Sequence, residues 1–215
     1  MTDLDLSTDD LAAYESELAP SLAVPAEVAD LLFREAATAY SFSDEPVIEE
    51  QIRAVYDLVK WGPTAMNSQP LRLALVQSAE ARERLVPHMS GNNRERTAAA
   101  PLVALLAADL DFHEELPRVF PVAPKAKDGL ADEQARAAMA HTSAALQAGY
   151  FILGVRAAGL VAGPMGGFDA DAVSRAFFPD GRHRVFLVVN LGHPAPTSYR
   201  PRQPRLGFDE VVTRH

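Results

Sequence analysis

The chain of 215 residues contains no cysteine. That excludes a disulfide framework, a thiolate nucleophile and a Cys-ligated metal centre. Cationic side chains are missing from one region. Residues 1–33 hold Asp3, Asp5, Asp9, Asp10, Glu15, Glu17, Glu27 and Asp30 and no Lys or Arg. This segment carries almost all of the net charge of −9, so the rest is close to neutral and no nucleic-acid partner is expected. No basic segment precedes an apolar run near the N-terminus, so no secretory signal is read there. Long hydrophobic runs are also lacking. The one extended apolar stretch, 137–161, is broken by His141, Gly149, Gly154 and Arg156. It reads as a buried helix and not as a membrane span. Walker A, G-x-G-x-x-G, H-E-x-x-H and G-x-S-x-G patterns are absent, which argues against an NTPase, a Rossmann dehydrogenase, a zinc protease and an α/β-hydrolase. His88, His113, His141, His183, His193 and His215 show no metal spacing, and His141 reads as a core histidine. A cytoplasmic chain with no membrane partner and no metal is the expectation.

What is present is a hydrophobic content of 48%, enough for one sizeable core. Residues 1–26 read as an acidic, mobile segment and 27–215 as one domain. Val28, Leu31, Leu32 and Glu35 predict a first helix over 27–40. Pro46 opens a second, with Ile48, Ile52, Val55 and Val59 at helical spacing, and Gly62-Pro63 stops it. Leu71 to Val76 has β character, and 79–89 reads as a helix. Leu102 to Ala108 is apolar throughout and suits a strand buried on both faces. Residues 111–130, with Pro117, Pro121, Pro124 and Gly129, read as a long irregular connection of the kind that shapes binding sites. The longest helix pattern covers 131–158. It is rich in Ala and Leu and apolar nearly all round, so it belongs at the centre or at a subunit interface. Gly159 suits its C′ position. Asp169 caps a short helix to 178, Val185 to Leu191 is a strand, and 194–206 is an extended, proline-rich arm. The sum is an α+β layout with three or four strands.

Two segments stand apart chemically. Gly62-Pro63-Thr64-Ala65-Met66-Asn67-Ser68-Gln69-Pro70-Leu71-Arg72 puts two amides, hydroxyls and two prolines between a helix and a strand. About one hundred residues on, Gly163-Pro164-Met165-Gly166-Gly167-Phe168 reads as a glycine-rich loop that lets the main chain approach a flat ligand. The spacing Pro-Thr-x-x-Asn-x-Gln-Pro resembles the motif of the nitroreductase family of FMN enzymes, and the second motif follows the long helix in that family's order.

The resemblance covers about 30–212 and implies a nitroreductase-like fold: a central, mostly antiparallel sheet flanked by helices, in an intertwined homodimer with two flavin sites at the interface. It implies an FMN-dependent oxidoreductase in which NADH or NADPH reduces the flavin at N5 and a small acceptor takes the hydride, in ping-pong fashion. Pro63 and Thr64 approach the flavin through backbone, Asn67 bonds ring or substrate, Gln69 supports the ring edge and Arg72 faces the pyrimidine end. Pro164, Met165, Gly166 and Gly167 pack on the flavin, the last two with N–H groups near N5, so Gly166, Gly167 and Asn67 are the catalytic candidates. Arg205, and after it Arg202, reach the phosphate, and Thr38 keeps a hydroxyl there. Lys60-Trp61-Gly62-Pro63-Thr64, Ala157-Ala158-Gly159-Leu160 and Pro204-Arg205-Leu206 look most like the malonic semialdehyde reductase branch, which implies a short oxo-acid as acceptor.

One departure cuts against this. Ala37 stands where the resemblance expects a phosphate-binding arginine, and Arg34 is the nearest cation upstream. Losing one charged hydrogen bond costs about 1.5–3 kcal/mol, or about 10- to 150-fold in affinity. The alternatives are therefore a broad nitro- or quinone reductase, and a flavin-free member of the fold that binds a ligand or a protein partner.

Overall fold

The computed structural model describes residues 22–215. Most of the acidic segment expected at 1–26 lies outside them. The chain divides into two units, one ending at Ala36 and one running from Ala37 to His215. In the first, α1 (Ala26–Ala29) runs on into a π turn, Asp30–Arg34, where Arg34 pairs with Asp30 at 2.7 Å. The helix predicted over 27–40 therefore ends early. The reason lies in the second unit, where the Ala39 N–H donates to the Ala162 carbonyl at 2.8 Å and Tyr40 N–H to Ser198. Those residues are extended along a sheet edge, which leaves no amide for a helix ladder.

The second unit is built on four strands in the order β1-β2-β4-β3, every neighbouring pair antiparallel. They are β1 (Leu71–Val76), β2 (Leu102–Asp109), β3 (Val161–Met165) and β4 (His183–Gly192). All eight residues of β2 are buried, as its unbroken apolar run predicts. Alternate residues face opposite ways. Ala104 and Leu106 join Val55, Phe151 and Val155 on one face, while Val103 and Leu105 join Leu85, Met89 and Val173 on the other. Between Leu106 and Ala107 the register with β4 shifts, and Phe186 is the extra residue of that bulge.

The segment 163–165, read above as a loop, is instead part of edge strand β3. Pro164 is tolerated there because an edge strand has a side that needs no ladder donor. Gly163 is required by packing: a Cβ at that position would lie 2.5 Å from the Ala39 carbonyl oxygen.

The longer helices follow the sequence signals closely, and three short ones are additions. They are α2 (Glu49–Val59), α3 (Ala79–Leu85), α4 (Asn93–Ala99), α5 (Leu116–Val119), α6 (Glu133–Ala157), α7 (Ala170–Phe177) and α8 (Phe208–Val211). α4 and α8 were not expected from the sequence. α5, with the 3₁₀ turns Phe112–Glu115 and Ala126–Gly129, gives structure to the connection 111–130. α6 starts on Asp132, whose carboxylate accepts the Ala135 N–H at 2.7 Å. It ends in a Schellman motif: Gly159 N–H bonds Arg156, Leu160 N–H bonds Val155, and Gly159 takes φ +75°. α2 packs tightly against it, since a Cβ on Gly154 would sit 2.5 Å from Val59 Cγ1.

The opposite face of α6 is uncovered. Ala138, Ala145, Leu146, Gly149 and Tyr150 are exposed, with Leu146 at 50%. His141 lies on this face, edge-on to Phe186 at 5.3 Å, and is not the core histidine expected. Among the described residues no helix is long and apolar enough to cross a membrane, and no cluster of His, Asp and Glu is arranged to hold a metal.

Candidate functional site

The loop after α2 is held in a conformation that few residues adopt. Met66, Asn67 and Gln69 have φ of +54°, +50° and +44°. Asn tolerates the left-handed region, but Met and Gln do not. Each such residue costs about 1–3 kcal/mol and persists only where its surroundings over-determine it. They do so here. The Thr64 hydroxyl accepts the Gln69 N–H at 3.2 Å, and the Ser143 hydroxyl accepts the Ala65 N–H at 3.3 Å. The Asn67 amide donates to the Val119 carbonyl at 2.7 Å, while its Oδ1 accepts from Gln69 Nε2 at 3.2 Å. Gln147 of α6 takes the Leu71 N–H at 3.0 Å.

Arg72 locks the loop to the sheet. Its Nη1 donates to the carbonyls of Gln69 and Leu71, and its Nη2 to Asp109 Oδ2 at 2.7 Å. The Asp109 side chain is fully buried and also takes Arg182 in a bidentate pair, at 2.6 and 2.7 Å, and the Asp111 N–H. Burial pushes its carboxyl up. The Arg182 hydrogen bonds, the Arg72 charge and the Asp111 N–H outweigh this and hold it below the ordinary aspartate range. A cavity of about 550 Å³ opens beside this loop, lined by Ser68, Gln69, Arg72, Lys60 and Arg118. Ser68 Oγ is buried there without a hydrogen-bond partner.

The second motif lies at the other edge of the sheet. β1 and β3 are separated by β2 and β4, three spacings or roughly 14 Å. Thr38, Tyr40, Gly163, Pro164 and Met165 line a cavity of about 240 Å³ together with Asn93, Arg96 and Asn190. Asn190 is 2% exposed, and its Oδ1 has no partner among the described residues. A Cβ on Gly166 would meet nothing within 4 Å, so this turn is open to an approaching group. Gly167 differs: the space a Cβ needs is taken by Asn93 Nδ2 at 2.8 Å, and its carbonyl accepts from Asn93 and from Ser90 N–H. Among the described residues the N–H groups of Gly166 and Gly167 make no turn or loop hydrogen bond.

Of the residues expected to form one site, Thr38, Pro164 and Met165 share the smaller cavity, and Gln69 and Arg72 share the larger. No residue lines both. Pro63, Thr64 and Asn67 shape the strained loop. Arg202 and Arg205 lie on the exposed arm, outside both linings, and Arg205 donates back to the carbonyls of Gln203 and Pro204. Asn93, Arg96 and Asn190 were not anticipated. Asn190 left a readable signal, a lone amide inside an apolar strand. Asn93 and Arg96 left none, since Asn92-Asn93-Arg94-Glu95-Arg96 has the polarity of a solvated surface.

The fold and these cavities define an α+β protein with an antiparallel sheet, a polar cavity at one edge and a strained amide loop at the other. The chain belongs to the nitroreductase family, whose model matches residues 34–193. It is 58% identical over 194 residues to a Streptomyces coelicolor protein named as an NADH dehydrogenase/NAD(P)H nitroreductase, covering 90% of this chain and 98% of that one. A Leptothrix cholodnii protein of the same name is 51% identical, over 83% of this chain and 91% of that one. Among solved structures it resembles a nitroreductase in complex with FMN from Exiguobacterium sibiricum, with TM-score 0.78, 15% identity and coverage of 89% and 99%. It also resembles the nitroreductase ydfN of Bacillus subtilis, with TM-score 0.77, 24% identity and coverage of 88% and 99%. The architecture is thus the nitroreductase fold, with a sheet that is antiparallel throughout.

Proposed function

We propose that the chain is an NAD(P)H-dependent FMN oxidoreductase acting on a small acceptor. The observation that carries this is the 240 Å³ cavity at the β3 edge. Its lining residues carry two hydroxyls, two amides and a guanidinium, one amide oxygen being buried without a partner among the described residues. That donor and acceptor set fits a sugar-alcohol phosphate, and the open turn at Gly166 fits a flat ring beyond it. The names of the relatives support the same reading.

Bound FMN supplies hydride relay between a nicotinamide donor and the acceptor, which no side chain of this protein performs. The chain's own residues bind and position. Thr38, Pro164 and Met165, which line the smaller cavity, would hold the cofactor from the β3 edge. Gly166 and Gly167 would offer the ring backbone N–H groups that make no turn or loop hydrogen bond among the described residues. The Pro63–Gln69 loop would present its backbone and the Gln69 amide oxygen from a second direction, with the Asn67 amide bonded to Val119 and Gln69 and so holding the loop in shape. Arg202 and Arg205, which lie outside both linings here, would reach the cofactor only from the arm of a second chain.

A single chain holds these two halves on opposite sheet edges. The cavity is also below the roughly 300–1,000 Å³ usual for a small-molecule site. Both facts support a homodimer in which the loop of one chain meets the β3 edge of the other. The uncovered face of α6, with Leu146 and Tyr150, supports it as well. Sedimentation of the purified protein at twice the chain mass is the expected result, and a monomer would remove this part of the proposal.

For the acceptor we propose a short oxo-acid such as malonic semialdehyde. The likeness to that branch supports this, as do Lys60, Arg72 and Arg118 around the larger cavity. Turnover on an oxo-acid well above that on nitroaromatics and quinones is expected in an acceptor panel. The deciding test of the whole reading is the visible spectrum after loading with FMN and dialysis. A retained flavin band near one per chain, bleached by NADH or NADPH, is expected; a protein that stays colourless overturns it.

A further inference from the structure

We propose that Arg136 is a positioning residue of the acceptor site: its one guanidinium clamps both ends of the connection 111–130 and so fixes the wall that this segment gives the larger cavity. The inference rests on the acceptor reading above and adds a residue to it. Arg136 stands near the start of α6, and its side chain is only 12% exposed. Its Nε donates to the Leu110 carbonyl at 2.9 Å and its Nη1 to the Leu130 carbonyl at 2.8 Å. Its Nη2 faces Asp111 Oδ1 at 3.4 Å. The two carbonyls flank the connection, so a single planar fork closes its base. Bringing the ends of a flexible loop together costs entropy, and here a residue of the central helix holds them together.

What the clamp holds is itself tied down. Phe112 and Leu116 are fully buried and pack with Met66 and Val119 against Ala140 and Ala144 of α6. Glu114 and Lys127 join the two 3₁₀ turns at 3.3 Å. The Asn67 amide donates to the Val119 carbonyl at 2.7 Å, which ties the middle of the segment to the strained loop. Between these ties Glu115, Arg118 and Val119 line the larger cavity with Gln69 and Arg72. Arg136 is not among the lining residues, so it acts on the wall and not on the ligand. The consequence is selectivity. A short oxo-acid offers few contacts and depends on charges set in the right place, and a misplacement of about 1 Å can cost about 100-fold. A flat quinone is held by stacking over its whole face and depends less on the wall.

The test is steady-state kinetics of the FMN-loaded wild type and Arg136→Gln, with malonic semialdehyde and, separately, menadione as acceptor. Glutamine can serve one of the two carbonyls but not both. The expected result is a kcat/KM for the oxo-acid lowered about 10- to 100-fold, with that for menadione little changed. Loss on both acceptors in equal proportion would mean that Arg136 only stabilises the fold, and overturns the assignment. An unchanged kcat/KM for the oxo-acid overturns it too. A wild type that reduces menadione but not the oxo-acid removes the acceptor reading and this inference with it. A wild type that reduces neither removes the oxidoreductase reading, a distinct outcome. Should Arg136→Gln fail to fold, Arg136→Lys keeps the charge beside Asp111 and loses the fork. It is expected to weaken oxo-acid turnover by a smaller factor and to spare menadione, and an equal loss on both acceptors, or none, overturns the assignment there as well.

Discussion

The two motif regions solve opposite problems. The loop 62–72 spends its polar groups on itself. Asn67, Gln69, Thr64 and Arg72 all bond within the chain, and the strain at Met66 and Gln69 is held by those bonds. The β3 edge does the reverse. Among the described residues it leaves a buried amide oxygen, two turn N–H groups and an arginine without protein partners of the kind each requires. The first region is a shaped surface in which, among the described residues, the buried Ser68 hydroxyl is the one group left unmet. The second is a set of unmet demands, which is how a binding site looks before its ligand arrives. Substitutions in the first should therefore cost stability, and substitutions in the second should cost binding.

The largest loss is expected at Asp109→Asn, which removes the charge that holds Arg72 and Arg182 together. Breaking a buried pair costs several kcal/mol, and with both arginines about one-third exposed we expect about 3 kcal/mol. In thermal unfolding that corresponds to a Tm lower by about 6–12 °C for a chain of this size. The pH dependence has a definite sign. The folded carboxyl is held below its ordinary value, so its contribution is fully present above about pH 4 and disappears as pH falls through the folded pKa. The gap between wild type and variant should thus close in acid; a gap that stayed constant below pH 4 would detach the effect from this carboxylate. Next comes Asn67→Ala. It removes the bond to Val119 and the acceptor for Gln69, and puts alanine at φ +50°. A loss of about 1–2 kcal/mol in urea unfolding is expected. Flavin content or turnover should fall with it, and unchanged values of both would count against a role in the site.

Much of this architecture was legible before the coordinates. Leu71–Val76 matched residue for residue, and β2, β4 and α6 matched within about two residues, because burial on both faces or over a long helix leaves an unmistakable apolar run. β3 was hidden for a physical reason. Gly163 and Pro164 are poor strand formers, and each is tolerated only through a fact about its neighbours: the close Ala39 carbonyl and the free side of an edge. The end of the first helix was hidden in the same way, since the Ala39 amide is claimed by Ala162 from across the chain. The candidate site divides along this line. The strained loop announced itself because its residues interact with one another over eleven positions. Arg96 and Asn93 did not, since they meet Thr38 and Asn190 only after the sheet has formed.

The smallest effect on stability, and the sharpest separation of the two regions, is expected at Gly166→Ala. The added methyl meets no atom within 4 Å, and the backbone there is not left-handed, so alanine is accommodated without strain. The change in unfolding free energy should stay within about 0.5 kcal/mol. On the proposed reading flavin retention should nevertheless drop, because the methyl enters the open space assigned to the flat ring. A variant as stable as wild type that loses flavin shows that the vacancy at Gly166 belongs to the ligand. A variant that keeps both stability and flavin shows that the turn is merely exposed, and the receptive character of the β3 edge would then rest on Arg96 and Asn190 alone.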